Sequence, residues 1–184
     1  YVYSLTEGTI AAANAQKQAD AIKNVIPVEF AETTSEKVAV GADTVEVFYA
    51  KNGDQIVGTA VKSFTNSGFN GYISVMFGFD TKGTITGYSV LSQGETPGLG
   101  SKMVDWFTEN GKGNIIGKTP GDKGISVKKD GGEIDAITAA TISSRAFCDA
   151  INRAAQALGG VSAWSGATPT NEATGTENSE QVEQ

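Results

Sequence analysis

Two pairs of apolar segments with alternating polar residues, each pair joined by a short polar turn, most constrain the fold of this chain. Residues 44–50 and 55–64 flank the turn 51–54, and residues 72–79 and 84–91 flank the turn 80–83. Alternation with a period of two is typical of half-buried strands, and Asn52-Gly53 in the first turn is a strong hairpin signal. The sequence therefore predicts two β-hairpins in a mainly antiparallel sheet.

Helical segments surround these hairpins. The patterns predict an alanine-rich helix over 6–25 that Pro27 ends, a short helix over 101–109, and a final helix with apolar residues at Phe147, Ile151, Ala154 and Leu158. A further strand is predicted at 133–138. Hairpins together with separate helices indicate an α+β fold, a twisted and mainly antiparallel sheet with flanking helices.

Composition narrows the chemistry that the chain can perform. Its 184 residues, 39% of them apolar, suit one globular domain, and a net charge of -7 without a basic cluster argues against nucleic acid as a partner. Zero histidines and one cysteine leave no credible zinc, haem or iron–sulfur site, so redox chemistry would need an organic cofactor. Cys148 is predicted to be a small buried residue of the final helix.

Two short segments carry candidate chemistry. In 135–144, the hydroxyl of Thr141 stands among small residues directly before the final helix, for which Ser143 or Ser144 would be the N-cap. A helix N-terminus attracts anions, so a phosphate on Thr141 would be favourably placed, although the same letters also fit a plain helix start. The second segment, Glu95-Thr96-Pro97-Gly98-Leu99-Gly100-Ser101-Lys102, reads by itself as an ordinary Pro-Gly loop before a helix.

Together these segments resemble the FMN-binding domain of the G subunit of the Rnf electron-transport complex and of the related C subunit of the sodium-pumping NADH:quinone reductase. The family motif has Asp, two residues, Ser or Thr, Gly, Ala and Thr, and is matched by Asp135, Thr138, Ala139, Ala140 and Thr141. Alanine replaces the usual glycine at Ala139, where it cannot adopt a positive φ as easily. The resemblance extends from about residue 6 to about residue 158.

The resemblance implies a flavin site. It implies FMN joined to Thr141 through a phosphoester, and a site that also contains Glu95, Thr96, Gly98, Leu99, Gly100, Lys102, Thr138, Ala139, Ala140 and Ser144. Asp135 would either help to present Thr141 to the attaching enzyme or close the turn with its side chain. The segment Gly68-Phe69-Asn70-Gly71-Tyr72 is either the family's glycine-rich segment beneath the flavin or a simple strand-entry turn.

The same resemblance implies an electron carrier that is not independently catalytic and has neither a catalytic residue nor a metal. Its partners would be the other subunits of a membrane-bound, ion-translocating oxidoreductase and a flavin transferase. A single N-terminal membrane helix, expected to precede Tyr1, would hold the domain on the outer face of the bacterial inner membrane, because the chain itself has no apolar run that could span a bilayer. The alternatives are the quinone-reductase subunit or another flavinylated domain and, from a different class, a secreted interaction module without a cofactor.

The end of the chain is expected to be separate from this domain. Residues 1–164 would form the FMN-binding domain, and 165–184 a polar, disordered tail. The tail contains Ser165-Gly166-Ala167-Thr168, which matches the family motif in its letters but has no Asp three residues before the serine and no helix after it. Thr168 is therefore the second choice for the modified residue.

Overall fold

Five consecutive strands form one antiparallel sheet in the order β1-β2-β3-β4-β5. This computed structural model describes residues 2–121 and 123–159, with side chains from residue 13 onward. The strands are β1 (Glu32–Val40), β2 (Asp43–Asn52), β3 (Gln55–Gly68), β4 (Gly71–Phe79) and β5 (Ile85–Gln93). Both predicted hairpins are present, at the β2–β3 and β4–β5 connections, and the α+β class is confirmed.

Helix α1 (Val2–Val25) covers one face of the sheet. Its C-terminal end buries Ala21, Ile22 and Val25 against side chains of β2, β3 and β4. The helix can lie this close because a Cβ on Gly78 of β4 would collide with the carbonyl of Val25, which also accepts a hydrogen bond from Thr86 Oγ1 at 2.6 Å. The predicted end of this helix is correct, while its start lies four residues earlier than the prediction of 6.

Helix α3 (Thr141–Ala157) covers the opposite face. Phe147 is fully buried there, with its ring centroid 4.2 Å from that of Phe107 and in edge-on contact with Phe77 and Tyr88. Such aromatic contacts add to the large apolar area that each ring buries. The helix is therefore anchored on the sheet near its middle, which fixes the position of its first turn.

Two predicted elements differ from the structure. The helix expected over 101–109 is a 3-10 turn (Gly100–Lys102) followed by the short helix α2 (Met103–Trp106). The strand expected at 133–138 is absent from the described residues, where Ile134 makes only an isolated parallel bridge to Val127. Without further pairing these residues form no strand, and the chain turns at Ala139 (φ 61) to enter α3.

Strand β1 was not predicted, because most of its side chains are polar and exposed and give no alternating apolar signal. Backbone pairing with β2 along its whole length holds this edge strand. Within the described residues, no helix combines the length and the hydropathy that crossing a bilayer requires. The expected tail, including Thr168, lies outside the described residues.

Candidate functional site

A cavity of about 330 Å³ lies where three segments distant in sequence meet. The segments are the turn between β3 and β4, the loop that follows β5, and the start of α3. The residues that line the cavity are Phe69, Thr96, Leu99, Gly100, Ala139, Ala140, Thr141, Ile142 and Ser143. Both segments that the sequence marked as chemical candidates therefore border one space.

Thr141 is the first residue of α3 and is partly exposed to the cavity. The preceding residue, Ala140, occupies the N-cap position and makes no side-chain cap to the helix. Backbone N–H groups in the first turn of a helix have no partner within the helix, and the helix dipole is positive there. The threonine hydroxyl thus stands beside donors suited to an anion.

The N-cap prediction was wrong, because Ser143 and Ser144 both lie inside the first turn and are buried. Ser144 Oγ accepts a hydrogen bond from the N–H of Ile137 (2.8 Å) and donates one to the carbonyl of Ala140 (2.9 Å). Ser143 Oγ donates to the carboxylate of Glu95. Each serine bonds to residues before the helix and so fixes the approach to Thr141.

Ala139 has a φ of 61, which makes it the one non-glycine residue with a positive φ in the part of the chain that the structure describes. Left-handed backbone geometry is strained for a residue with a Cβ. The motif that the sequence resembles has glycine at this position, and Ala139 carries backbone strain that glycine would not have.

Glu95 lies beneath the cavity and is only 5% exposed. Its carboxylate accepts hydrogen bonds from the backbone N–H groups of Phe69 (3.0 Å) and Asn70 (2.9 Å) as well as from the hydroxyl of Ser143. Because these donors belong to two different segments, the carboxylate joins the turn after β3 to the first turn of α3.

The loop after β5 is compact. The N–H of Leu99 donates to the carbonyl of Thr96 (3.1 Å), and the N–H of Gly98 donates to Ser101 Oγ (3.1 Å). Gly98 has a φ of 76 and open space around it, whereas a Cβ on Gly100 would lie 2.8 Å from Glu95 Cβ. The two glycines therefore serve different needs, a turn conformation at Gly98 and close packing at Gly100.

The structure divides the predicted site residues into three groups. Those that line the cavity are Thr96, Leu99, Gly100, Ala139, Ala140 and Thr141. Glu95 and Ser144 lie buried behind it, and Gly98, Lys102 and Thr138 are exposed and outside the lining residues. Phe69, Ile142 and Ser143 line the cavity without having been assigned, although the glycine-flanked Phe69 had been noted as part of a possible flavin segment.

Charged side chains form ion pairs in the segment 128–135, which precedes α3, and do not line the cavity. Lys128 Nζ lies 2.9 Å from the Asp135 carboxylate, and Arg145 of α3 forms a bidentate pair with Asp130 (2.7 and 2.8 Å). The hydrogen bonds from Arg145 hold the pKa of Asp130 below its usual range. Asp135 is thus engaged on the surface by Lys128. No cluster of His, Cys, Asp and Glu that could hold a metal occurs among residues 2–121 and 123–159.

The residues at the cavity fit a flavin nucleotide. Phe69, Leu99 and Ile142 are 64%, 39% and 49% exposed, and large apolar side chains left open around a cavity can cover a flat ring. The Thr141 hydroxyl and the first turn of α3, which border the same cavity, suit a phosphate. One site thus offers apolar walls and an anion position, as a cofactor with a ring and a phosphate requires.

Comparison with known proteins agrees with this fit. Residues 68–156 match the FMN-binding domain family, which makes the protein a flavoprotein with FMN as its cofactor. The matched range begins at the turn that carries Phe69 and includes the loop after β5 and nearly all of α3.

Several relatives are G subunits of ion-translocating oxidoreductase complexes. The one from Cronobacter sakazakii is 34% identical over 164 residues, covering 83% of this chain and 78% of that protein, and the one from Yersinia pestis is 34% identical over 166 residues, covering 84% and 78%. The Salmonella typhi protein is 39% identical over 120 residues, covering 63% and 57%. The chain belongs to this family of G subunits, which confirms the resemblance noted in the sequence.

Proposed function

We propose that the protein is the electron-carrier subunit of an Rnf-type, ion-translocating oxidoreductase and that it carries FMN on Thr141 through a phosphoester. The observation that carries the proposal is the position of Thr141, which is the first residue of α3 and also lines the cavity. FMN supplies the reversible electron-accepting chemistry that the side chains of this chain lack.

The surroundings of the candidate hydroxyls favour Thr141. Ser143 also lines the cavity, but it is 2% exposed and its hydroxyl is bonded to Glu95. Thr96 also lines the cavity and is partly exposed, but it belongs to the loop after β5 and not to the first turn of a long helix. Thr141 alone among these three combines partial exposure with the first position of a helix of 17 residues.

The side chains of this site have separable tasks in the proposal. The N–H groups in the first turn of α3 would receive the phosphate, and the helix dipole would favour its charge. Phe69, Leu99 and Ile142 would exclude water from the ring, and Thr96 would donate a hydrogen bond to a ring or ribityl oxygen. Lys102 and Gly98 lie outside the lining residues, so we assign them to the rim of the site.

The relatives are named as subunits of a complex, and we extend this to the present chain. The domain would assemble with other subunits at the bacterial inner membrane, with its flavin on the periplasmic or outer side. A membrane helix preceding the domain would anchor it. A flavin transferase would attach the cofactor from a flavin dinucleotide, with the Thr141 oxygen bonding to the FMN phosphorus, the nucleoside monophosphate leaving and the hydroxyl proton released. A protein found in the membrane fraction of cells, and released with its flavin by protease added outside the inner membrane, would support this orientation.

The attachment site is tested by co-expressing the chain with a flavin transferase and measuring intact mass and in-gel flavin fluorescence after denaturation. The wild type and Thr168→Ala should carry one FMN, whereas Thr141→Ala should carry none and keep the wild-type melting temperature. Thr141→Ser keeps the hydroxyl and should be partly labelled. Fluorescence retained by Thr141→Ala, or lost from Thr168→Ala, would contradict the assignment.

A further inference from the structure

Glu95 joins all three segments that form the cavity, although it does not line the cavity itself. We propose that Glu95 is a positioning residue, whose buried carboxylate sets the turn after β3 and the first turn of α3 in the arrangement that FMN attachment requires. The inference rests on the proposed function only in naming FMN as the occupant of the cavity. It assigns Glu95 a different role from a direct contact with the flavin.

The hydrogen bonds of the carboxylate account for its orientation. Oε2 accepts from the Phe69 N–H and the Ser143 hydroxyl, and Oε1 accepts from the Asn70 N–H. A carboxylate has about four lone-pair positions, so three of them are occupied by the protein itself. Burial of the side chain to 5% exposure leaves little of it open to a ligand.

The glycines around Glu95 make room for this arrangement. A Cβ on Gly68 would lie 2.9 Å from Glu95 Oε1, and a Cβ on Gly100 would lie 2.8 Å from Glu95 Cβ. Distances below about 3 Å are sterically excluded between such atoms, because interiors are close-packed. Glycine at these two positions therefore leaves room for Glu95, and also for the backbone carbonyl of Gly71 beside Gly68 and the hydroxyl of Ser143 beside Gly100. Both glycines belong to segments that border the cavity.

Glu95 links two residues of the site that are far from it in sequence. Phe69 precedes Glu95 by 26 residues, and Ser143 follows it by 48. Through these bonds, Glu95 determines how the aromatic wall at Phe69 faces the helix turn that carries Thr141. A flavin bound between them would meet the Thr141 hydroxyl in the right geometry only while the carboxylate holds both segments.

The test compares Glu95→Gln and Ser143→Ala with the exposed control Glu109→Gln. The amide that Glu95→Gln introduces has one acceptor oxygen, so in either orientation its NH2 group faces one of the two backbone N–H groups. Ser143→Ala removes a single donor and keeps the backbone. Each full-length protein, prepared without flavin, is measured by residue-resolved hydrogen exchange, and then by the rate of FMN attachment below its melting temperature.

We expect Glu95→Gln to raise exchange at Phe69 and Asn70 at least about tenfold and to slow attachment by a similar factor, since buried unmade hydrogen bonds cost this much or more. Ser143→Ala should also slow attachment. The double variant with Glu95→Gln should be slowed by less than the product of the two single effects, because both changes break the same hydrogen-bond network. The visible circular dichroism of any attached flavin should also change in Glu95→Gln, and Glu109→Gln should behave as the wild type.

Two results would overturn the proposal. If Glu95→Gln slows attachment while exchange at Phe69 and Asn70 is unchanged, the side chain contacts the flavin directly and does not act through these segments. If attachment and exchange are both unchanged, the carboxylate does not set the site at all. Should Glu95→Gln fail to fold, Ser143→Ala carries the same test. Failure of the wild type to take up FMN would instead contradict the proposed function.

Discussion

Replacing Ala139 with glycine should stabilise the protein, although glycine usually weakens a fold. Ala139 has a φ of 61, where the Cβ of an L-residue costs about 1–2 kcal/mol. Its side chain is exposed, so its removal gives up little packing. Glycine relieves the backbone strain but adds freedom to the unfolded chain, at a cost of about 0.4–1 kcal/mol.

The midpoints of these two terms differ by about 0.8 kcal/mol in favour of the glycine variant, within a range of about 0–1.6 kcal/mol. For a chain of this size, that corresponds to a rise in melting temperature of about 1–4 °C. The backbone path from Ile137 to Thr141 should be unchanged, because glycine adopts a positive φ freely. FMN attachment to Ala139→Gly should therefore proceed at the wild-type rate or faster.

The matched control is Ala31→Gly. Ala31 is also exposed and outside the helices, but its φ is not positive. Glycine there has no strain to relieve and should destabilise by about 0.4–1 kcal/mol. Urea denaturation of the two variants and the wild type, without flavin, gives both differences. Equal losses of stability in the two variants would refute the argument that Ala139 is strained.

Three further predictions concern the core, the loop and pH. Phe147→Ala should cost about 3–5 kcal/mol in urea denaturation, because the ring is fully buried, whereas the exposed Val104→Ala should cost less than about 0.5 kcal/mol. Gly100→Ala should slow FMN attachment more than Gly98→Ala, since only the first adds a Cβ against Glu95. Burial raises the pKa of the Cys148 thiol to about 12. An unfolded thiol ionises at about pH 8.5, so below that pH the thiol is protonated in both states and ionisation costs the folded protein nothing. As the pH rises from there toward the folded-state pKa, the unfolded state alone ionises, and the free energy of unfolding should decline. Cys148→Ala should flatten the decline, and an unchanged alkaline profile would contradict the assignment.

The hairpins could be predicted because their signals are local. Gly53 and Gly83 have φ values of 64 and 81, and glycine supplies such turns without help from distant residues. Strand β1 could not be predicted in this way. Its exposed polar side chains carry no apolar pattern, and it is defined by its backbone pairing with β2. Edge strands of this kind depend on a neighbour that the local sequence does not reveal.

The error at the start of α3 has a similar cause. Serine is a favoured N-cap, so Ser143 and Ser144 were reasonable local choices. The structure uses both hydroxyls for contacts outside the first turn, and one of those contacts is with Glu95, 48 residues away in sequence. Both serine hydroxyls therefore have partners other than the one a cap would use, and the helix begins at Thr141, the residue that the motif match identified as the candidate hydroxyl.

The burial of α3 goes further than its apolar pattern indicated. The sequence predicted one apolar stripe, yet Asn152 and Arg153 are also buried. Asn152 accepts from the N–H of Ile125 (2.6 Å) and donates to its carbonyl (2.8 Å), as a neighbouring strand would, while Arg153 pairs with Asp43 at the start of β2. These contacts hold the helix against strand β2 and against the loop that contains Ile125. Because the later turns of α3 are held in this way, its first turn has a defined place beside the sheet, and we expect a cofactor joined to Thr141 to keep that place, which would set its distance to an electron-transfer partner.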